Sequence, residues 1–180
     1  MNPAIQKLVD LAKKEVGTRE GSINNTGARI VEYQGATWLQ PGAWPWCAAF
    51  TCWLMRELLE DEEVRNYLKT YFNRQELTFA QAEKVRCRDA SAFGWEKWAS
   101  SHGFQLLSEN NLAKAGDFVV FDFSHIGLVI EDQPNLSAKI RTIEGNTNGK
   151  GERDSTSGDG VWEKQRDRTL TKSYIRIFQH

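Results

Sequence analysis

The apolar positions along the chain change their period half-way. Ile5, Leu8, Val9, Ala12 and Val16 recur at helical spacing and Gly17 follows, so a helix is predicted over 5–16. Residues 18–25 are polar and turn-like. A short helix is expected over 27–33, with Ile30 and Tyr33 three apart, and then a Gly- and Pro-containing loop over 35–45. Cys47-Ala48-Ala49-Phe50-Thr51-Cys52-Trp53-Leu54-Met55 opens a strongly apolar helix that runs into the charged stretch 56–60. Residues 61–90 are charge-dense and read as a helical insertion or cover. Trp95, Trp98 and Ala99 share one face of a helix over 92–101. Beyond Gly116 the residue types become those of strands, at 118–123, 125–130, 139–144, 160–164 and 174–178. Helices first and neighbouring strands later predict an α+β fold. Its N-terminal helices would pack on a central antiparallel sheet of about five to six strands.

Composition narrows the classes. The chain has 180 residues, enough for one domain over 1–180 with its own core. Lys and Arg total 23 against 24 Asp and Glu, a net charge of -1. That balance argues against a strongly basic nucleic-acid surface and against charge-driven membrane binding. No apolar run approaches the roughly 18–20 residues of a membrane-spanning helix. Residues 1–7 lack the apolar core of a secretory signal, so synthesis in the cytoplasm without a signal peptide is expected. Three cysteines, none in a CxxC, fit neither a disulfide scaffold nor a zinc finger, and no metal or other cofactor is expected. The stretch 154–160 lacks the spacing of a calcium loop and reads as a solvated polar loop. His102 needs no role beyond a helix end.

Three residues carry candidate chemistry. Cys47 follows Pro45 by two and falls in the first turn of its helix, where the dipole favours thiolate. His125 opens a strand on which Ile126, Leu128 and Ile130 share one face, so His125 and Gly127 share the other. The turn signal at Pro134 and Asn135 folds strands two and three into a hairpin whose paired numbers sum to 269. That register sets Ile126 against Ile143, Val129 against Ile140 and His125 against Glu144. Cysteine, histidine and carboxylate then form a nucleophile, base and orienter, with the Cys47 backbone N–H as an oxyanion donor. Asp122 is the reserve orienter. Trp38, Trp44 and Trp46 cluster ahead of Cys47 as groove candidates, whereas Trp53, Trp95 and Trp98 sit at helical core positions.

Several stretches resemble the CHAP-type cysteine amidohydrolases, within the papain-like NlpC/P60 group of peptidoglycan hydrolases. They are Trp46-Cys47-Ala48-Ala49-Phe50, then Ala115-Gly116-Asp117-Phe118-Val119-Val120-Phe121, then His125-Ile126-Gly127-Leu128-Val129-Ile130. Ile143-Glu144-Gly145-Asn146-Thr147, Gly160-Val161-Trp162 and Ile175-Arg176 complete the set, in the family's order. The resemblance implies a papain-like fold and hydrolysis of a peptidoglycan amide, at N-acetylmuramoyl-L-alanine or within the peptide. It implies catalytic roles for Cys47, His125 and Glu144. Asn146 matches an accessory polar position, and Trp46, Trp44 and Tyr33 are the further accessory or substrate-binding candidates. Trp46 stands where many of these domains carry Gln. The expected protein is a monomer delivered to the wall or periplasm as a phage lysin or antibacterial toxin, with an immunity protein if a toxin. A cysteine amidase on a small peptide–amine conjugate and a non-catalytic cell-wall-binding module are the rival readings.

Overall fold

The computed structural model describes residues 2–149 and 158–179. Asn2 caps the first helix, α1 (Pro3–Glu15), by accepting from the Ala4 N–H at 2.9 Å, and Pro3 supplies a preset φ at the first turn. Its Ile5, Leu8, Val9 and Ala12 are buried on one face, as their spacing predicts. Then come α2 (Ala28–Gln34) and α3 (Cys47–Leu58). In α3 every residue from Cys47 to Met55 is buried, so this helix forms the centre of the core rather than one wall. The charge-dense stretch holds α4 (Glu62–Leu68), capped by Asp61, and α5 (Phe79–Val85), closed by a Thr78–Gln81 capping box. Next is α6 (Ala92–Ser101).

Six strands follow: β1 (Gln105–Leu107), β2 (Phe118–Phe121), β3 (His125–Val129), β4 (Ile140–Thr147), β5 (Gly160–Arg166) and β6 (Thr171–Arg176). They form one antiparallel sheet in the order β1-β6-β2-β3-β4-β5. The protein is thus an α+β fold with helices packed on a sheet. The edge strand β1 was not expected, and the last strand begins three residues earlier than its apolar run suggests. Residues 154–157 of the expected polar loop lie outside the described residues. Among the described residues no helix is long and apolar enough to cross a membrane.

Alternation splits the sheet between two cores. Phe118, Val120, Ile126, Leu128, Ile143 and Ile175 join the helices in the main core. Val119, Phe121, Val129, Ile140 and Tyr174 form a smaller cluster on the other face, with Leu107, Phe123 and Leu170 against it. Both faces of β2 and β3 are therefore buried, which accounts for the uninterrupted apolar run of Phe118–Phe121.

The β3–β4 register differs from the expected one. Leu128 pairs with Ile143 and Val129 with Thr142, so paired numbers sum to 271, not 269. The reason lies in the turn. The Asn135 side chain accepts from the Ser137 and Ala138 N–H groups at 2.9 and 3.0 Å, which moves the turn's centre one residue along. A slip of two keeps every side chain on its predicted face, where a slip of one would have reversed them all. His125 and Glu144 are consequently not directly opposed, and the space between them is decided by Gly127.

Candidate active site

Cys47 opens α3 beside the start of β3. The first ladder bond of the helix runs from the Phe50 N–H to the Trp46 carbonyl at 2.9 Å, which leaves the N–H groups of residues 47–49 outside the ladder. Glycine lets the helix come this close. A Cβ at Gly145 on β4 would lie 2.7 Å from Phe50 Cβ and from the Trp46 ring. Burial pushes the Cys47 thiol up. The opposing charge and hydrogen bond of His125, with the backbone N–H groups of Ile126 and Ala48, more than offset this, and the thiol falls below its ordinary value.

His125 and Glu144 are both fully buried, on the sheet face away from the helices. Continuing the observed register sets Glu144 against Gly127, and a Cβ there would stand 2.6 Å from Glu144 Cγ. The carboxylate therefore lies across the glycine and reaches diagonally to His125, Oε2 to Nε2 at 2.9 Å. That bond assigns the ring proton to Nε2 and leaves Nδ1 for another partner. Nδ1 has no well-aligned hydrogen bond among the described residues. Cys47 is nonetheless near enough to interact by hydrogen bond and charge, the loose geometry expected of an unliganded site. Burial lowers the imidazole's basicity, but the Cys47 thiolate and the Glu144 carboxylate outweigh it, and His125 is pushed up to about 9. Phe121 and Phe123 stack beside the ring, with centroids at 6.0 and 5.7 Å, and fix its plane.

Glu144 is held on four sides. Besides His125 it accepts from the Thr142 hydroxyl at 2.6 Å and from both arms of Arg166, Nε to Oε1 at 2.9 Å and Nη2 to Oε2 at 2.6 Å. Burial disfavours its charge, yet Arg166 and His125 hold the carboxyl well below the usual carboxylate range. Sequence reasoning missed Arg166. Lys164 and Arg166 are two apart on β5 and both turn inward, an unusual place for two cations that the expected strand over 160–164 stopped short of.

The remaining candidates separate. Asn146 occupies a bulge where β4 gains a residue on β5, with φ 54, a left-handed conformation that Asn tolerates. Tyr33 and Trp46 are fully buried and stacked on one another at 5.5 Å. The Tyr33 hydroxyl donates to Glu15, and the Trp46 indole N–H donates to Glu20 Oε1 at 2.8 Å. Both buttress the start of α3 and offer no face to a substrate in this structure. Trp44 is half-buried, and Trp38 is exposed beneath the Arg88 guanidinium. Asp122 is exposed, and it is Glu144 that holds His125. Cys52 and Cys87 are buried free thiols in mutual contact, and Cys52 Sγ lies 3.5 Å from the Asp89 carbonyl. His102 caps its helix end, its ring nitrogen 2.9 Å from the Trp98 carbonyl. Cavities of about 450 and 360 Å³ lie elsewhere, one beside Lys7 and Glu57 and one beside Trp38 and Trp98. The polarised cysteine, not a hollow, marks the candidate site.

Compared with known families and with curated proteins, the chain matches no family model and no curated sequence.

Proposed function

We propose that the protein is a papain-like cysteine amidohydrolase that cleaves an amide bond of peptidoglycan. One observation carries the reading: a carboxylate 2.9 Å from one nitrogen of a buried imidazole whose other side meets a thiol of lowered pKa. Structural histidines and cysteines do not need that combination, and nucleophilic catalysis does. The likeness of the segments around Cys47, His125 and Glu144 to CHAP-type hydrolases supplies the substrate class. It also supplies the setting, a protein delivered to the wall or periplasm as a lysin or a toxin with an immunity partner.

In the proposed reaction the Cys47 sulfur attacks the amide carbon. The oxyanion that forms is received by the unladdered N–H groups at the start of α3. The His125 imidazolium gives its proton to the leaving amine, and the acyl group stays on sulfur as a thioester. Neutral His125 then takes a proton from water, which attacks the thioester and restores the thiolate. Glu144 keeps the ring in one tautomer and stabilises its cation in both halves.

The experiment is digestion of purified sacculi, with the released fragments identified by mass spectrometry. New N-termini at L-alanine would mark an amidase and new termini inside the stem peptide an endopeptidase. Sacculi left whole by the folded protein under reducing conditions would overturn the substrate assignment.

A further inference from the structure

We propose that Arg166 is a positioning residue of this centre, supplying the countercharge that allows a thiolate to form in a site shielded from water. The inference rests on the cysteine-nucleophile reading above and deepens it. Its basis is the geometry of β5. The Arg166 side chain is 3% exposed, so its charge is barely screened by solvent. It grips Glu144 with two arms, reaches Thr147 Oγ1 at 3.5 Å, and lies over the Phe121 and Phe123 rings that also flank His125. One carboxylate thus serves two cations, an imidazolium and a guanidinium.

The consequence follows from charge. The groups that meet His125 include Cys47 from α3, Glu144 from β4 and, behind Glu144, Arg166 from β5. Phe121 and Phe123 do not titrate, and Asp122 is exposed. Lys164 shares the face and gives its ammonium to the Asn148 carbonyl at 2.7 Å, a constant in every comparison below. With thiol, imidazolium, Glu144 carboxylate and Arg166, the four groups carry one net positive charge. Losing the thiol proton brings them to neutrality. Without Arg166 the same step ends one charge more negative in a buried site, which is costly. Arg166 therefore favours the reactive form of Cys47 without touching sulfur or substrate.

The test reads Cys47 directly. Carbamidomethylation of the Cys47 peptide by iodoacetamide is followed by mass spectrometry across pH in wild type, Arg166→Met, Arg166→Lys and the double variant Glu144→Gln/Arg166→Met. Circular dichroism and a thermal melt monitor folding. In Arg166→Met the midpoint should rise by about one unit or more, so labelling below both midpoints slows about tenfold or more. Arg166→Lys keeps the charge and loses the fork, and its midpoint should stay near wild type. The double variant restores the positive-to-neutral step, so its midpoint should return toward wild type. A purely structural arginine predicts no such return. An unmoved midpoint in Arg166→Met, or a double variant as shifted as the single, would overturn the proposal. If Arg166→Met does not melt cooperatively, Arg166→Lys and the double variant decide: a midpoint moved upward in either one overturns it. Failure of the parent reading looks different, because wild-type Cys47 would then show no thiolate reactivity below the ordinary thiol range.

Discussion

Cys47 and Cys87 belong to one core, 6% and 1% exposed, yet their thiols are driven in opposite directions. Burial pushes Cys87 far up, and its contact with the Cys52 thiol adds to the rise, because one thiol offers another no positive charge. Burial pushes Cys47 up too, but His125, the Ile126 and Ala48 N–H groups and the helix start reverse it. Burial alone therefore does not decide whether a cysteine is inert. The decision lies with the partners that the fold brings to it, and the sharpest way to break the comparison is to remove one cysteine at a time. Cys47→Ala should reduce sacculus hydrolysis to background with the fold intact by circular dichroism. Cys52→Ala and Cys87→Ala should retain most activity. Normal hydrolysis by Cys47→Ala would end the enzymatic reading.

A smaller change should separate the two cysteines through the backbone. Gly127→Ala places a methyl group where Glu144 Cγ now lies, at 2.6 Å, and β4 backbone closes the other side, with the Ile143 carbonyl at 3.3 Å. Glu144 must leave its diagonal path, and His125 loses its partner. The expected cost is about 1–3 kcal/mol of stability, the usual penalty of overpacking. Hydrolysis at neutral pH should drop, while labelling of Cys87 in denaturant stays unchanged. Wild-type hydrolysis by this variant would mean that Glu144 does not act through His125.

Much of this site was legible in the sequence because a strand's period of two is robust. The numbers 125, 127 and 144 fix which faces the residues share, and the even slip caused by Asn135 left those faces alone. The diagonal contact itself was not legible, since it depends on where a side chain bends after the register is set. Arg166 was hidden for a related reason: it pairs with Ile140 in the ladder, and only the length of its side chain takes it to Glu144. Trp46 illustrates the opposite error. A loop aromatic near a nucleophile suggests a groove, but here Gly145 draws α3 onto β4, and the Trp46 ring, stacked on Tyr33, fills the resulting contact instead. The strand β1 escaped because three residues at a sheet edge, two of them exposed, carry no alternation to read.

The comparison also distinguishes the two carboxylates. Glu144→Gln keeps shape but removes the charge that stabilises imidazolium. Hydrolysis should fall by about 10²- to 10⁴-fold without vanishing, since sulfur and the oxyanion donors remain. Asp122→Asn, on an exposed turn residue, should change it less than about twofold. Matched sacculus assays with circular dichroism check both, and the reverse ranking would reassign the orienting role.

The smallest expected effect is a slope in stability at alkaline pH, and it belongs to Cys87. The Cys87 thiol stays protonated in the fold well above its ordinary value of 9.0, whereas the unfolded chain loses that proton near it. Unfolding above that pH therefore releases a proton, so the unfolded state is favoured as pH rises. The stabilising contribution is complete below about 9 and declines as pH climbs toward the folded value. Cys47 has the opposite sign. Its folded thiol lies below 9.0, so its contribution is present above that value and is lost as pH falls through the folded one. Cys87→Ala should lower the melting temperature by a constant amount at every pH, from the cavity it leaves, and should also flatten the fall between pH 8 and 10. The measurement is the difference in melting temperature between wild type and Cys87→Ala across that range. A difference that does not shrink toward pH 10 would show that Cys87 ionises as freely in the fold as in the unfolded chain. The two cysteines would then differ in position alone and not in chemistry.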